Sequence, residues 1–451
     1  MTAAIGAYWP APWTAEDGGR LRWGAPYGQP GLGIAPGEGL EVAAARDAFC
    51  TTSLIRREPG ELYALRHSVP KRGPQSPVRW WVERLDPKTL QVTASTPELS
   101  IGAFWPGGVQ AHGNGDLISV AGHWAHRLTP DLEIVAAREL PVPRPHNSFV
   151  LLDSGAIVTK DCDAPAGREP ATVSVLEPDG LEPLAAPLRL PEPCIARLAS
   201  DGESVIVIGA ATAFRIRLDD DRLVVDETWQ PRYGGTPGRS FGWDPVIADE
   251  HVFWMDNGRN HVDRTMLGSG TDPEPLRLWW ARRDDATLRS TEISGLPLGT
   301  ESNPPGWDPV GKIVVAYDAG HAVVRAWRLD GDDLMPLWRR DGLAHAAHLI
   351  VFPDTRELVV GDWRDWAWMR RPLVRRAMRP GLQFVGRSAT ARRQSLRSGQ
   401  DHLVVLDLDT GEEKARVAVP SPSQGFLFSA PGFDRDVYYQ SLTTIARVVV
   451  R

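Results

Sequence analysis

The sequence predicts an all-β protein, a single closed β-propeller with eight blades favoured and seven the alternative. Three observations carry this reading. The 451-residue chain holds 43 glycines and 39 prolines, too much punctuation for long helices and too little for a low-complexity chain. Tryptophan, at 18, equals tyrosine and phenylalanine together at 7 and 11, a weighting that suits flat sheets packed face to face. One pattern recurs along the chain at propeller spacing: an apolar β-branched run, a tight turn carrying Asp, Gly or Asn, a second strand, and a Pro-rich link.

The copies justify the elements in order. Residues 108–120 read GVQAHGNGDLISV, 146–159 HNSFVLLDSGAIVT, 194–208 CIARLASDGESVIVI and 345–360 HAAHLIVFPDTRELVV, each a strand, a turn and a strand. The best internal match is Gly-Trp-Asp-Pro-Val at 242–246 and again at 306–310. Read as equivalent positions, the two place successive units 64 residues apart (306 − 242). Units then begin near residues 40, 101, 143, 192, 238, 299 and 345, with a short final unit at 421–451. That final unit supplies about three strands, and a propeller joins its two ends in one sheet. The segment 1–39 is therefore expected to close the last blade, with a strand within 19–27.

The stretch at 399–428, GQDHLVVLDLDTGEEKARVAVPSPSQGFLF, resembles the outer-strand hairpin of quinoprotein-like propellers, with Asp407-Leu-Asp-Thr-Gly411 at the turn. PHNSFVLLDSGAIV at 145–158 is similar to blades of arylsulfotransferase-like and gluconolactonase-like propellers. These resemblances imply the fold and no particular activity. The Trp-Asp pairs precede a first strand instead of ending a third, so the repeat does not resemble the WD type.

Charge and cysteine usage narrow the partners. With 50 Lys and Arg against 57 Asp and Glu, the net charge is −7, and nucleic acid is not the expected partner because phosphate neutralisation needs a basic footprint. No apolar run is long enough to span a bilayer, so no membrane partner is expected. Cys50, Cys162 and Cys194 cannot all pair and form no Cys-x-x-Cys, which fits a reducing compartment. The first residues lack the basic and apolar regions of a secretory signal, so a cytoplasmic location is expected. Residues 364–400 interrupt the repeat as an Arg-rich insertion, with ten arginines from Arg364 to Arg397 and one acidic residue, Asp365. It reads as a solvated loop or as a docking place for an acidic ligand or partner.

First strands line a propeller's channel, so residues that begin them converge. Aligning the tight turns brings His146, Asn147, Cys194 and His348 to similar heights, with Trp243, Asp244, Trp307 and Asp308 nearby. His146 and His348 are the acid/base candidates for catalysis. Asn147, Trp243, Trp307 and His112 are candidate substrate-binding residues, and Asp244 and Asp308 candidate ligands for a divalent metal ion. The opposing reading makes the Gly-Trp-Asp-Pro copies structural corners, with Asp capping a turn and Trp wedged between blades. Two His-x-x-His spacings, His123 with His126 and His345 with His348, are poor metal pairs on strands, where residues three apart face opposite ways. Gly238-Arg-Ser240-Phe-Gly242 has the form of a nucleophile elbow without the helix that holds one. The functional expectation is a small-molecule enzyme at the propeller mouth, with hydrolase- or lyase-type acid/base chemistry on an aromatic or polycyclic substrate. The alternative is a non-catalytic binding or scaffold propeller.

Overall fold

The computed structural model describes residues 6–68, 78–102, 107–162, 169–234, 242–256, 272–299, 303–343, 348–363, 401–421, 428–441 and 443–451. They form eight antiparallel sheets in sequence order around a ring, with no α-helix among them. Blades 1 to 7 span residues 51–100, 108–139, 146–189, 199–225, 246–292, 306–341 and 350–419. Blade 8 takes Ala430–Pro431, Asp436–Gln440 and Thr444–Val450 from the carboxy-terminal end and Leu40–Asp47 from the amino-terminal part. The unit starts read from sequence at 101, 143, 192, 238, 299, 345 and 421 fall in the links before blades 2 to 8. The start at 40 does not open the first blade, which begins at Thr51.

Each sheet is open, so the ring is held by packing between blades. The strands explain why. The second strand of a blade is covered on both faces by its neighbours, and Leu117–Ala121, Ile157–Asp161, Ser204–Ile208 and Ile313–Asp318 are buried at every position. Outer strands have one face in solvent, and Leu40–Asp47 alternates half-buried and exposed residues along its whole length. Large rings fill the gaps between blades: Trp80, Trp254, Trp307 and Trp327 are fully buried, and Trp307 stacks on Phe253 with centroids 5.9 Å apart.

Two expectations are corrected here. The strand completing the last blade is Leu40–Asp47, registered from Leu40 opposite Val450 to Asp47 opposite Thr444, and not one within 19–27. The two Gly-Trp-Asp-Pro-Val copies are out of register. Counting from the tight turn, Ala248 opposite His251 corresponds to Asp308 opposite Ile313, so blades 5 and 6 are offset by 60 residues (308 − 248). Trp307 therefore matches Ile247, and Asp244 matches Pro304. The identity of five residues is therefore not an identity of position.

The segment freed from closing the sheet does something else. The Trp13 carbonyl accepts from Arg56 N at 2.7 Å, Thr14 from Ala111, Arg20 from Ser200, Leu21 from Ile247, Trp23 from Trp307 and Gly24 from Val351. These donors belong to the first strands of blades 1, 2, 4, 5, 6 and 7, so residues 13–24 lie on the axis those strands surround. Blade 3 joins through Leu151 N, which donates to the Tyr8 hydroxyl at 3.1 Å. In blade 8 the matching position is Pro431, which has no N–H to satisfy. Residues 8–27 thus fill the central channel and pair the inward-facing amides that an open channel leaves to water.

Candidate functional site

The channel segment turns around a short 3-10 stretch, Glu16–Gly18, with Asp17 at φ 53°. Its tip reaches the level three residues before the amides just named. Ser53, Gly108, Ser148, Arg197, Asp244, Pro304, His348 and Phe428 occupy that level in blades 1 to 8, near the face where first strands begin. Ser148 and His348 both have left-handed backbone there, at φ 68° and 49°, a strained conformation for a side-chain-bearing residue.

Side chains from the wall and the tip pair throughout. Glu16 accepts from Ser148 Oγ at 2.6 Å and from Gln110 Nε2 at 3.0 Å. Gly108 is required beside it, since a Cβ there would stand 2.1 Å from Glu16 Oε1. Arg22 Nη2 donates to Asp17 at 2.5 Å and to Asp244 at 2.9 Å. Asp244 also accepts from Arg197 N at 2.6 Å. His348 Nδ1 faces Asp17 Oδ1 at 3.4 Å, and its ring lies on Phe428 with centroids 4.1 Å apart. The Arg197 guanidinium covers the same Phe428 ring at 4.3 Å. Asp244, Arg22, Asp17 and His348 thus form one continuous buried polar chain.

Burial sets the protonation of this chain. It pushes the Glu16 carboxyl above the usual range, against the pull of Arg197 and Arg22. It works the same way on Asp17, but Arg22 and His348 outweigh it and hold Asp17 below its ordinary value. Burial drives the His348 imidazole down despite the Asp17 carboxylate, so neutral imidazole is favoured. A crevice of about 170 Å³, counted out to open solvent, adjoins His348 and is lined by Asp17, Arg22, Gly24, Pro304, Pro305 and Leu349.

The other candidates fall elsewhere. His146 begins the first strand of blade 3 two residues before the ring position; its Nδ1 meets the Arg144 carbonyl at 3.0 Å. Burial takes its pKa down to about 3, and its Nε2 has no partner among the described residues. Among the described residues, His146 and His348 share no polar partner. Asn147 Nδ2 and Lys160 Nζ tie down the link before blade 4 through the carbonyls of Ile195 and Cys194, at 2.5 and 3.0 Å. Trp243 and Trp307 are buried packing residues. His112 lies at the opposite, turn face, between the Gly155 carbonyl and Asn114 N.

Asp308 sits four residues beyond the ring position, about 13 Å farther along the strand at the usual rise. There it accepts from Val310 N and Gly311 N and from Arg356 at 2.5 Å, the turn-capping role of the opposing reading. Asp244 and Asp308 do not fit a shared divalent ion, because their oxygens are taken by arginines and amides at different levels. Among the described residues no group of three or more His, Cys, Asp or Glu side chains is arranged to hold one. No disulfide links Cys50, Cys162 and Cys194. His345, Ser240 and the Arg-rich insertion lie outside the described residues.

Sequence reasoning missed Glu16, Asp17, Arg22, Gln110, Ser148 and Arg197. A usable signal existed in Glu16-Asp17-Gly18-Gly19, an acidic turn between tryptophans. It lies outside the repeats, so no alignment of copies points to it.

No family model matches the chain, and no curated protein matches it. Its shape is similar to that of quinohemoprotein alcohol dehydrogenase ADHIIG from Pseudomonas putida HK5, over 100% of this chain and 82% of that one, with TM-score 0.60 and 10% identity. It is also similar to the C-terminal WD40 domain of Sif2, over 91% and 98%, with TM-score 0.57 and 11% identity. BamB from Moraxella catarrhalis matches over 91% and 99%, with TM-score 0.55 and 11% identity. Identities this low establish the fold alone: the chain is an eight-bladed β-propeller, an architecture used by an alcohol dehydrogenase and equally by proteins whose names carry no reaction.

Proposed function

We propose that the chain is a binding propeller that acts as a scaffold and not by turnover. The observation supporting this is the commitment of the channel wall to the chain's own segment: Ser148, Gln110, Arg197, Asp244 and His348 all face Glu16, Asp17 or Arg22. A catalytic mouth needs space for a substrate within hydrogen-bond reach of its acid or base. The crevice beside His348 is small, about 170 Å³ even counted out to open solvent.

One observation favours a second, enzymatic reading. His348 is a neutral imidazole facing a carboxylate, the arrangement of an oriented general base, and the Phe428 ring beside it suits an aromatic or polycyclic substrate. In that reading His348 moves the proton in a hydrolysis or elimination and Asp17 orients its ring. The test is turnover of an aryl ester, an aryl sulfate and a lactone by the purified protein, with and without calcium or magnesium, beside His348→Gln. The scaffold reading expects no turnover that depends on His348. A rate that falls about 100-fold or more in His348→Gln overturns it.

A further inference from the structure

The outer half of blade 6 brings two like charges face to face. Its third strand, Val323–Asp330, sets Arg325 directly opposite Arg339 of the edge strand, Asp333–Asp341. Like charges placed so across two strands repel. Arg339 is relieved by Asp341, with Nη2 donating to Oδ1 at 2.9 Å, and it also donates to the Ser294 carbonyl at 2.9 Å. Close by, Arg277 pairs with Glu292 at 3.2 Å and His321 with Asp318 at 2.8 Å. Arg325 is the cation left over. Among the described residues it has no carboxylate partner, and its Nη1 donates to the Glu292 carbonyl at 3.3 Å.

The surplus charge has a defined shape. The Arg325 guanidinium lies over the Trp327 ring at 4.8 Å, which holds its plane. The residue is half-buried, so the rest of its donor fork is left for an incoming acceptor. Burial, with Arg339 second, pulls the Arg325 pKa below the usual value, a direction that a bound anion reverses. Just past Ser294, in the link that leaves blade 5, Leu296 and Leu298 are 44% and 43% exposed. A lone small anion would leave these leucines in water, whereas a peptide covers them.

We propose that Arg325 and Arg339, where blade 6 meets blade 5, are a docking site for an acidic residue of a partner peptide, with Leu296 and Leu298 receiving its apolar neighbours. A carboxylate bridging the two guanidiniums gives Arg325 the counter-charge it lacks through charge-assisted hydrogen bonds. The surface lies on the outer side of the ring. Turnover dependent on His348 would leave it standing, and its failure would leave the scaffold reading of the channel untouched.

The experiment titrates the full chain into a fluorescein-labelled Leu-Glu-Leu-Glu-Leu amide and into its Leu-Gln-Leu-Gln-Leu twin, with anisotropy as the readout. A net charge of −7 opposes any general attraction of the acidic peptide. The expected result is binding about tenfold tighter or more for the Glu peptide, an advantage that fades with salt. Arg325→Gln should abolish that advantage and Arg339→Gln should reduce it. Arg340→Gln should keep it, since Arg340 points to the other face and pairs with Glu413 at 3.0 Å. Arg339→Gln, in the edge strand, carries the test if Arg325→Gln does not fold. Equal binding of the two peptides, or an advantage unchanged in both variants, overturns the proposal. So does inorganic phosphate binding as tightly as the Glu peptide, which would make this a small-anion site.

Discussion

Asp244 and Asp308 sit in the same five-residue motif, and the structure gives them unequal duties. Asp244 is 2% exposed and neutralises Arg22, itself 1% exposed, while accepting from Arg197 N. Asp244→Asn keeps the shape and removes the charge, leaving Arg22 with Asp17 alone. Removing one partner of a buried pair costs about 3–5 kcal/mol, because the remaining charge is uncompensated. Asp308→Asn keeps an oxygen for Val310 N, and the Arg356 it abandons is still paired with Asp409 at 2.8 Å. Asp308 is itself fully buried, and the amide group that replaces its Oδ2 forfeits the bonds from Gly311 N and Arg356, together about 2–3 kcal/mol. Urea unfolding followed by tryptophan fluorescence separates them. At an m-value of about 4 kcal/mol/M for a chain this long, the midpoint drops by about 1 M for Asp244→Asn and by less than that for Asp308→Asn. Equal shifts, or the larger shift for Asp308→Asn, would refute the register assignment and the ionic chain together.

Gly108→Ala is expected to destabilise by about 1–3 kcal/mol through overpacking, since its Cβ would meet Glu16 and Ser148 at 2.1 and 2.2 Å; an unchanged melting temperature would show that the tip is not there. His126, edge-on to Trp80 at 4.9 Å, is driven by burial down to about 4. The unfolded imidazole titrates near 6.5, so the unfolded chain takes the proton first on acidification. The stability His126 contributes above about 6.5 is lost as pH falls toward about 4, and His126→Phe should flatten that limb of the stability curve. Glu16 has the opposite sign. Its carboxyl is raised by burial, so its contribution is present at low pH and lost as pH rises through the raised value. Glu16→Gln should then gain stability relative to the parent as pH increases, and an unaltered pH profile would count against a buried Glu16.

The blades were legible because each repeats a local signal: an apolar run, a turn residue and a second apolar run, with register fixed by the turn. His348 and Asp244 could be nominated for the channel because strand starts converge. Asp308 was misplaced since a motif identity was taken as a positional one, while strand pairing matches it to Ala248, four residues beyond Asp244. The channel segment was illegible for a different reason. Trp13 to Gly24 form no strand or repeat, and their hydrogen bonds go to six different blades, so no local pattern encodes them. Only the three-dimensional accounting of inward-facing amides reveals where residues 8–27 must lie.

The central claim is that these residues occupy the axis and pair with the first strands. Amide hydrogen exchange in the intact protein, resolved at Arg56, Ala111, Ser200, Ile247, Trp307 and Val351, tests it most directly. The account predicts protection at all six close to that of second-strand amides such as Val207 and Val315, because each donates to a carbonyl of the channel segment. Rapid exchange at these six positions, with the second strands still protected, would mean that the amides face water and that the channel is open.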